Sequence, residues 1–383
     1  MKESIIIRNL GPIKDIFIED IKSFTVLIGE SGSGKSTLMK AVALFRWLYK
    51  ICNIRSYLKH SNITKVPFAF NTKLYLKNCG FEQFIKNDTE IIYTAIFDEK
   101  YKYEIVYRNN KLVVPKELIA KQFINFNKIS FISETRNIIP LWADKGASSK
   151  GAYLGFYFHE VYGDFDLATE ELKEMPLDFL NLKVKVKKTT LGKKYSIVSV
   201  GEDEFEIDYK NSSSGIQNTV PIVLIMEYFS ENFHFEDAFD RSAIQYVAKT
   251  GKLKDFKPVQ NLDDIDKKIY IHIEEPELSL YPDAQCQLIN KIVNKSFVDN
   301  KNKIEIFLST HSPYIINHLN LLIKAYDKKT LVEGASLNYD DIAVYQIDEG
   351  KIYDLKAQNV KLINTNPLSD TIDDIYNQYD ELG

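Results

Sequence analysis

The sequence of 383 residues has few cysteines, glycines and prolines. Its three cysteines, Cys52, Cys79 and Cys286, are widely spaced and form no Cys-x-x-Cys pair. A disulfide framework and a zinc site are therefore not expected, and this pattern favours a reducing cytosol. With only 16 glycines and 11 prolines, collagen-like, low-complexity and disordered chains are also excluded.

Long apolar runs are missing as well. No window approaches the roughly 18 uninterrupted apolar residues of a membrane-spanning helix, and 220–226 is among the longest runs. The apolar run near the N-terminus is too short for a signal peptide. We therefore expect a cytoplasmic protein that makes no contact with a membrane. With 45% apolar residues, the chain has enough material for a sizeable core.

The charges are unevenly distributed along the chain. The net charge is only −4, yet 31–80 contains nine Lys or Arg and no Asp or Glu, and 338–383 contains ten acidic residues and three lysines. One interpretation is two solvated faces. The other is a basic surface for nucleic acid or a partner, together with an acidic tail that docks elsewhere.

The periodicity of the apolar residues predicts an α/β fold. Strands are expected at 23–28, 269–273 and 304–308, each followed by a helix, which is typical of a core with parallel strands. The segment between them has the alternation of antiparallel strands, beginning with a strand at 68–76. The predicted architecture is one domain, 1–383, with a mixed core sheet (1–60, 128–150 and 265–383), an antiparallel β lobe (about 64–127) and a helical and β lobe (about 150–265).

A glycine-rich segment lies where the first core strand gives way to a long predicted helix. It fits the pattern G-x-x-x-x-G-K-[ST], in which backbone N–H groups and the helix N-terminus surround phosphate groups. Lys35 is expected to reach the β- and γ-phosphates, and the hydroxyl of Ser36 is expected to bind Mg²⁺. The predicted nucleotide-binding residues are Gly29, Glu30, Ser31, Gly32, Ser33, Gly34, Lys35, Ser36 and Thr37.

Two adjacent carboxylates, Glu274 and Glu275, follow the strongly apolar strand at 269–273. Burying them is unfavourable unless a metal or another positive charge compensates. In a P-loop protein, Mg²⁺ bound to the nucleotide provides that charge. We therefore expect Glu274 to bind the metal and Glu275 to polarise the attacking water, although a solvated acidic turn is the simpler alternative.

Two further motifs start predicted helices. His311 follows the strand at 304–308, where it is expected to contact the γ-phosphate. The segment 212–217 contains three serines and Gly215 at a helix N-terminus, which suits either a plain serine cap or an anion site.

Together these motifs resemble the ABC-type ATPase head domain in its soluble prokaryotic branch, which includes ATPases akin to the overcoming-lysogenisation-defect (OLD) proteins and, more distantly, RecF and the SMC heads. The resemblance implies an ATP- and Mg²⁺-dependent ATPase that forms a homodimer or higher homo-oligomer with ATP sandwiched between subunits. It implies that Ser214, Gly215 and Gln217 bind the nucleotide in trans, that Glu275, His311 and Lys35 act in catalysis, and that Ser36 and Glu274 hold the metal. Glu134 occupies the Q-loop position, where it replaces glutamine as a further metal ligand.

OLD proteins carry a C-terminal Toprim nuclease domain. The segment Leu331-Val332-Glu333-Gly334 superficially resembles the start of such a domain. Only 49 residues follow Gly334, so we expect no Toprim domain and interpret Glu333 as a surface residue. If the system cuts nucleic acid, the nuclease is then another chain.

Two functions remain open. The resemblance points to the ATPase of a two-gene anti-phage defence system (PARIS-like or Septu-like) that controls a separate effector, a nuclease or toxin. The alternative is a RecF- or SMC-like DNA repair or maintenance ATPase, in which the basic segment 31–80 and the lysines of 183–188 follow DNA phosphates. An edge strand whose lysines prevent aggregation is the simpler interpretation of 183–188.

Overall fold

The computed structural model describes residues 1–63, 71–144, 154–190, 192–201, 205–236, 256–259, 261, 264–357 and 359–382. These residues form one sheet of eleven strands, a second sheet of four strands, and helices that pack on them. The predicted α/β class is confirmed. Among the described residues, none of the helices has the length and apolar character needed to cross a lipid bilayer.

The strands alternate with helices along the chain. They are β1 (Lys2–Leu10), β2 (Ile13–Ile18), β3 (Phe24–Ile28), β4 (Ile85–Ile96), β5 (Lys102–Arg108), β6 (Lys111–Val113), β7 (Asn125–Ile132), β8 (Glu174–Leu177), β9 (Leu182–Thr189), β10 (Gly192–Ser199), β11 (Glu206–Asp208), β12 (Asp266–Glu274), β13 (Ile304–Ser309), β14 (Ile342–Asp348) and β15 (Lys351–Asp354). The helices are α1 (Lys35–His60), α2 (Thr72–Asn78), α3 (Ile139–Asp144), α4 (Phe156–Glu171), α5 (Ser214–Glu227), α6 (Pro282–Val293), α7 (Pro313–Asp327) and α8 (Asn366–Leu382).

One half of the large sheet is parallel. Strands β14, β3, β13, β12 and β7 lie side by side and run in the same direction. All five residues of β3 are buried, as expected for a strand covered on both faces. The carboxyl ends of these strands meet at one edge, where ligands bind in open α/β sheets. That edge carries the segments after β3, β7, β12 and β13.

The other half of the large sheet is mostly antiparallel. Strand β1 pairs with β2 on one side and with β4 on the other, and β5 and β6 continue the sheet outward. The antiparallel strands expected within 64–127 are thus present, and they extend the main sheet beyond β1. The strand predicted at 68–76 is wrong where the structure describes it, because Thr72–Asn78 is the helix α2.

The four-stranded sheet has the order β11-β10-β9-β8 and is antiparallel throughout. It lies between α4 and α5 in sequence, and Tyr195 of β10 packs against Phe165 of α4 with ring centroids 5.4 Å apart. Within the helical and β lobe predicted at about 150–265, residues 237–255 fall outside the described part of the chain. Before them, Tyr228–Asn232 continues α5 as a wider helical turn.

A buried ion pair fixes α1 to the sheet. Nη2 of Arg46 donates to Oε2 of Glu3 at 2.8 Å, and both side chains are at most 2% exposed. The guanidinium also lies over the ring of Tyr270 in β12, at 3.9 Å from the centroid. Such a pair is strongly destabilising to break, by about 3–5 kcal/mol, because it leaves one charge buried and alone. The helix that follows the glycine-rich loop is therefore held in register with β12.

Candidate nucleotide site

The glycine-rich loop joins β3 to α1 at the carboxyl edge of the sheet. Gly29 and Gly34 have φ angles of +145° and +115°, in the region that favours glycine. A Cβ on Gly29 would collide with the carbonyl oxygen of Ile347, and one on Gly34 would lie 3.1 Å from Cγ1 of Ile13. The tight path of this loop therefore requires glycine at both positions.

The start of α1 is open for an anion. Gly34 provides no side-chain cap, and the first turn contains no acidic residue, so its N–H groups and positive dipole end are uncompensated. The Nζ of Lys35 donates to the carbonyl oxygens of Gly29 and Glu30 at 2.8 and 2.9 Å. Burial lowers the pKa of Lys35, and the carboxylates of Glu275 and Glu277 oppose that shift. The ammonium is thus held within the loop, beside the acidic end of β12.

Glu274 ends β12 and is only 3% exposed. Burial raises the pKa of its carboxyl. The charge of Lys40, a hydrogen bond from Ser36 and the backbone N–H of Glu134 each lower this pKa. Its Oε1 is buried and has no hydrogen-bond partner. The structure thus brings the three predicted metal ligands together, although Glu134 reaches Glu274 with its backbone.

Glu275, the next residue, has a left-handed backbone with φ +45° and donates its N–H to the carbonyl oxygen of Ser309 at 2.9 Å. Its Oε1 lies 3.6 Å from Nε2 of His311, and both side chains are about one-third exposed. Burial lowers the pKa of His311, the charge of Lys35 lowers it further, and Glu275 raises it. His311 is therefore favoured in its neutral form, next to the Glu275 carboxylate.

The helix α5 begins with Ser214, which is exposed, as is Ser213 before it. Gly215 is buried, and a Cβ there would lie 2.6 Å from the carbonyl oxygen of Ser279 in the same chain. The side-chain amide of Gln217 donates to the carbonyl oxygens of Lys210 and Ser212, both at 2.9 Å. Gly215 and Gln217 thus shape their own loop, and the roles of all three residues in trans stay predictions.

Residues 53–316 match the family model described as an AAA ATPase domain. This match covers more than half of the chain. The chain belongs to this ATPase family. No curated protein matches it.

Several solved structures are similar at low identity. The SMC head domain from Thermotoga maritima is 9% identical, with 94% of this chain and 100% of that chain covered and a TM-score of 0.36. The recombination mediator protein RecF bound to ATPγS is 11% identical, with 92% and 98% covered and a TM-score of 0.38. A dimeric ATP-binding cassette with ADP and phosphate is also 11% identical, with 92% and 100% covered and a TM-score of 0.32.

The residues at the site of this ATPase fit a nucleotide with Mg²⁺. Two buried oxygens, Oγ of Ser33 and Oε1 of Glu274, have no partner, and a buried polar atom without a partner is unfavourable by about 1–3 kcal/mol. A hydroxyl and a carboxylate are the hard oxygen donors that Mg²⁺ prefers, and the metal usually adds phosphate oxygens and waters to one or two carboxylates. Ser36 and Glu274 would therefore hold Mg²⁺ at this site.

Two residues of the site carried no prediction from the sequence. Oε1 of Glu277 accepts the backbone N–H of His311 at 2.6 Å, so it holds the segment after β13. Arg136, two residues after Glu134, is fully buried and donates to the carbonyl oxygens of Glu274 and Glu275. Burial lowers the pKa of Arg136 to about 10, so it remains protonated at neutral pH. The only sequence signal for Arg136 and Glu277 is that they lie close to predicted site residues, in the segments Ser133–Arg136 and Glu274–Glu277.

Several of the basic residues suggested for DNA contact have other partners. In β9, Lys183, Lys187 and Lys188 each lie within 4 Å of a carboxylate, those of Glu174, Glu206 and Glu170 respectively. In the basic segment 31–80, Arg46 is buried and Lys35 faces the glycine-rich loop. These contacts reduce the positive charge that either segment offers to phosphates.

Proposed function

We propose that this ATPase is of the ABC type, binds ATP with Mg²⁺ at 29–37, and hydrolyses it to ADP and phosphate. The observation that carries the proposal is the convergence of Lys35, Glu274, Glu275 and His311 at the carboxyl edge of β3, β12 and β13. Bound Mg²⁺ supplies positive charge to the phosphate oxygens, and this chain's residues supply the rest.

In this proposal Glu275 acts as the general base. Its carboxylate accepts a proton from a water molecule, whose oxygen forms a bond to the γ-phosphorus while the bond from that phosphorus to the β,γ-bridging oxygen breaks. Lys35 stabilises charge on the phosphates. Neutral His311 can donate a hydrogen bond to the γ-phosphate, and its contact with Glu275 orients both groups.

Two substitutions test this assignment. Lys35→Ala is expected to abolish nucleotide binding, because the loop loses its only ammonium. Glu275→Gln is expected to keep ATP bound while kcat falls by about 100-fold or more, since the amide accepts no proton. Binding is measured by titration with a fluorescent ATP analogue and hydrolysis by phosphate release. Lys328→Ala, an exposed lysine after α7, is the control. Wild-type turnover by Glu275→Gln would contradict the role of Glu275.

We further propose that the ATPase forms a dimer in which Ser214 and Gly215 of one subunit face the nucleotide of the other. The support is the exposed start of α5, whose N-terminal N–H groups suit an anion. ATP then stabilises the dimer by mass action, because it binds both surfaces at once. Hydrolysis of ATP removes this stabilisation of the dimer.

The biological role that we propose is a switch for a separate effector in prokaryotic anti-phage defence, and the effector is a nuclease or toxin. It is tested by expressing the tagged chain together with the product of the adjacent gene. We expect the two proteins to elute as one complex whose stability differs between Lys35→Ala and Glu275→Gln. This role would be contradicted if no effector gene is adjacent and the chain elutes alone. Salt-sensitive binding to duplex DNA would instead favour the repair function.

A further inference from the structure

Arg136 connects three segments of the site through main-chain carbonyl groups. It lies in the 3₁₀ turn Glu134–Ile138 that follows β7, and none of its surface is exposed. Nη1 donates to the carbonyl oxygens of Glu274 and Ser133 at 2.7 and 3.1 Å, and Nη2 donates to that of Glu275 at 2.5 Å. Nε donates to the carbonyl oxygen of Asn218 in α5 at 3.0 Å. One planar group thus fixes the relative positions of β7, β12 and α5.

The contacts at the end of β12 constrain the backbone of Glu275, together with the hydrogen bond from its N–H to the carbonyl of Ser309. The carbonyls of Glu274 and Glu275 lie on either side of the Glu275 Cα, so Arg136 holds both ends of the φ/ψ pair that directs its side chain. Because φ is +45°, this backbone is strained by about 1–3 kcal/mol and persists only where the surroundings impose it. Without Arg136, we expect the Glu275 carboxylate to leave its place beside His311.

A proline inside α5 leaves a carbonyl next to the Arg136 contact without its helical partner. Pro221 has no N–H, so the carbonyl of Gln217 lacks its usual partner within the helix and instead accepts the hydroxyl of Tyr209 at 2.8 Å. The next carbonyl along the helix, that of Asn218, accepts Nε of Arg136. Two successive carbonyls of α5 are therefore bound from outside the helix, one by Tyr209 and one by Arg136.

We propose that Arg136 is a positioning residue that couples the orientation of Glu275 to the position of α5. This inference rests on the proposed function, in which Glu275 hydrolyses the chain's own ATP and the start of α5 completes the site of the partner subunit. Movement of α5 on contact with the partner's nucleotide then shifts the carbonyls that hold Glu275. Each ATP site thereby responds to the occupancy of the other.

The test compares hydrolysis with binding in Arg136→Lys. Lysine keeps the positive charge, but its ammonium cannot bridge the carbonyls of Glu274, Glu275 and Asn218 with the geometry of a guanidinium. We expect kcat at saturating ATP to fall at least about tenfold and the Kd for ATP to change less than about threefold, because the glycine-rich loop is untouched. Arg136→Met, which also removes the charge, is expected to lower kcat further.

Tyr209→Phe is the matched control. It removes the other external hydrogen bond to α5, from a side chain that is also buried and whose hydroxyl donates to the carbonyl of Gln217 in α5. We expect it to lower the melting temperature while kcat stays within about twofold of wild type. A loss of kcat in Arg136→Lys but not in Tyr209→Phe separates the positioning of Glu275 from the general stability of the helix.

The coupling itself is tested by a double-mutant cycle between Arg136→Lys and Ser214→Ala. If Arg136 transmits the position of α5, Ser214→Ala lowers kcat less in the Arg136→Lys background than in wild type. Additive effects would reject the coupling. Unchanged kcat in folded Arg136→Lys, or loss of ATP binding or of the fold in parallel with kcat, would reject the positioning role. Absence of hydrolysis by wild type would instead reject the proposed function.

Discussion

Glu277 shows how a single carboxylate can position the histidine that we propose contacts the nucleotide. Its Oε1 accepts the His311 N–H at 2.6 Å, and its Oε2 is buried without a partner. Burial raises the pKa of Glu277, whereas the hydrogen bond from the His311 backbone lowers it. The Glu277 carboxyl is thus in an unfavourable environment. Its hydrogen bond holds the segment that places His311 beside Glu275.

Replacing Glu277 separates this contact from its charge. Glu277→Ala removes the acceptor of a partly buried N–H, so we expect the free energy of unfolding to fall by about 1 kcal/mol and kcat to fall about tenfold as His311 shifts. Glu277→Gln keeps an acceptor oxygen and is expected to restore most of both quantities. Urea denaturation and steady-state phosphate release measure them. Equal losses in Ala and Gln would show that the charge, not the hydrogen bond, is required.

The side chains that we propose to act in chemistry occur in sequence patterns, whereas those that bind main-chain groups do not. Lys35, Ser36 and Glu274 occur in a pattern whose residue types are explained by phosphate and metal binding. Arg136 binds carbonyl oxygens, which every residue possesses, so no sequence pattern indicates its partners. Glu277 likewise binds the backbone N–H of His311, which lies 34 residues away in the segment after β13.

At the level of elements, the local periodicity of apolar residues was sufficient to predict secondary structure wherever the buried residues recur at a regular spacing. Strand β3, the glycine-rich loop and α1 follow the prediction, because the apolar period changes from strand to helix at Gly34. The segment 68–76 misled the prediction because its alternating apolar residues also suit a short helix. In α2, Tyr75 packs edge-on against Trp47 of α1, with centroids 4.8 Å apart. A contact 28 residues away thus overrides the local pattern.

Strand pairing was the least predictable property of the elements. Strands β4 to β6 have the alternation expected of antiparallel strands, but nothing in their sequence indicates that β4 pairs with β1 along eight positions, from Lys2 opposite Ile96 to Leu10 opposite Ile85. Alternation indicates which face of a strand is buried, but not which strand lies beside it. The sheet therefore has eleven strands, in which β4 to β6 extend the pairing beyond β1.

At the scale of the whole molecule, the proposed dimer predicts that ATP controls the association of subunits. Glu275→Gln with ATP and Mg²⁺ is expected to elute as a dimer and, without nucleotide, as a monomer, measured by light scattering. Adding Ser214→Asp places a carboxylate opposite the γ-phosphate of the partner's ATP, and like charges there are expected to prevent the dimer while each subunit still binds ATP. Ser214→Ala, neutral and of similar size, is the control and should dimerise. A dimer that forms equally with Ser214→Asp would place α5 away from the shared nucleotide and would contradict the sandwich arrangement.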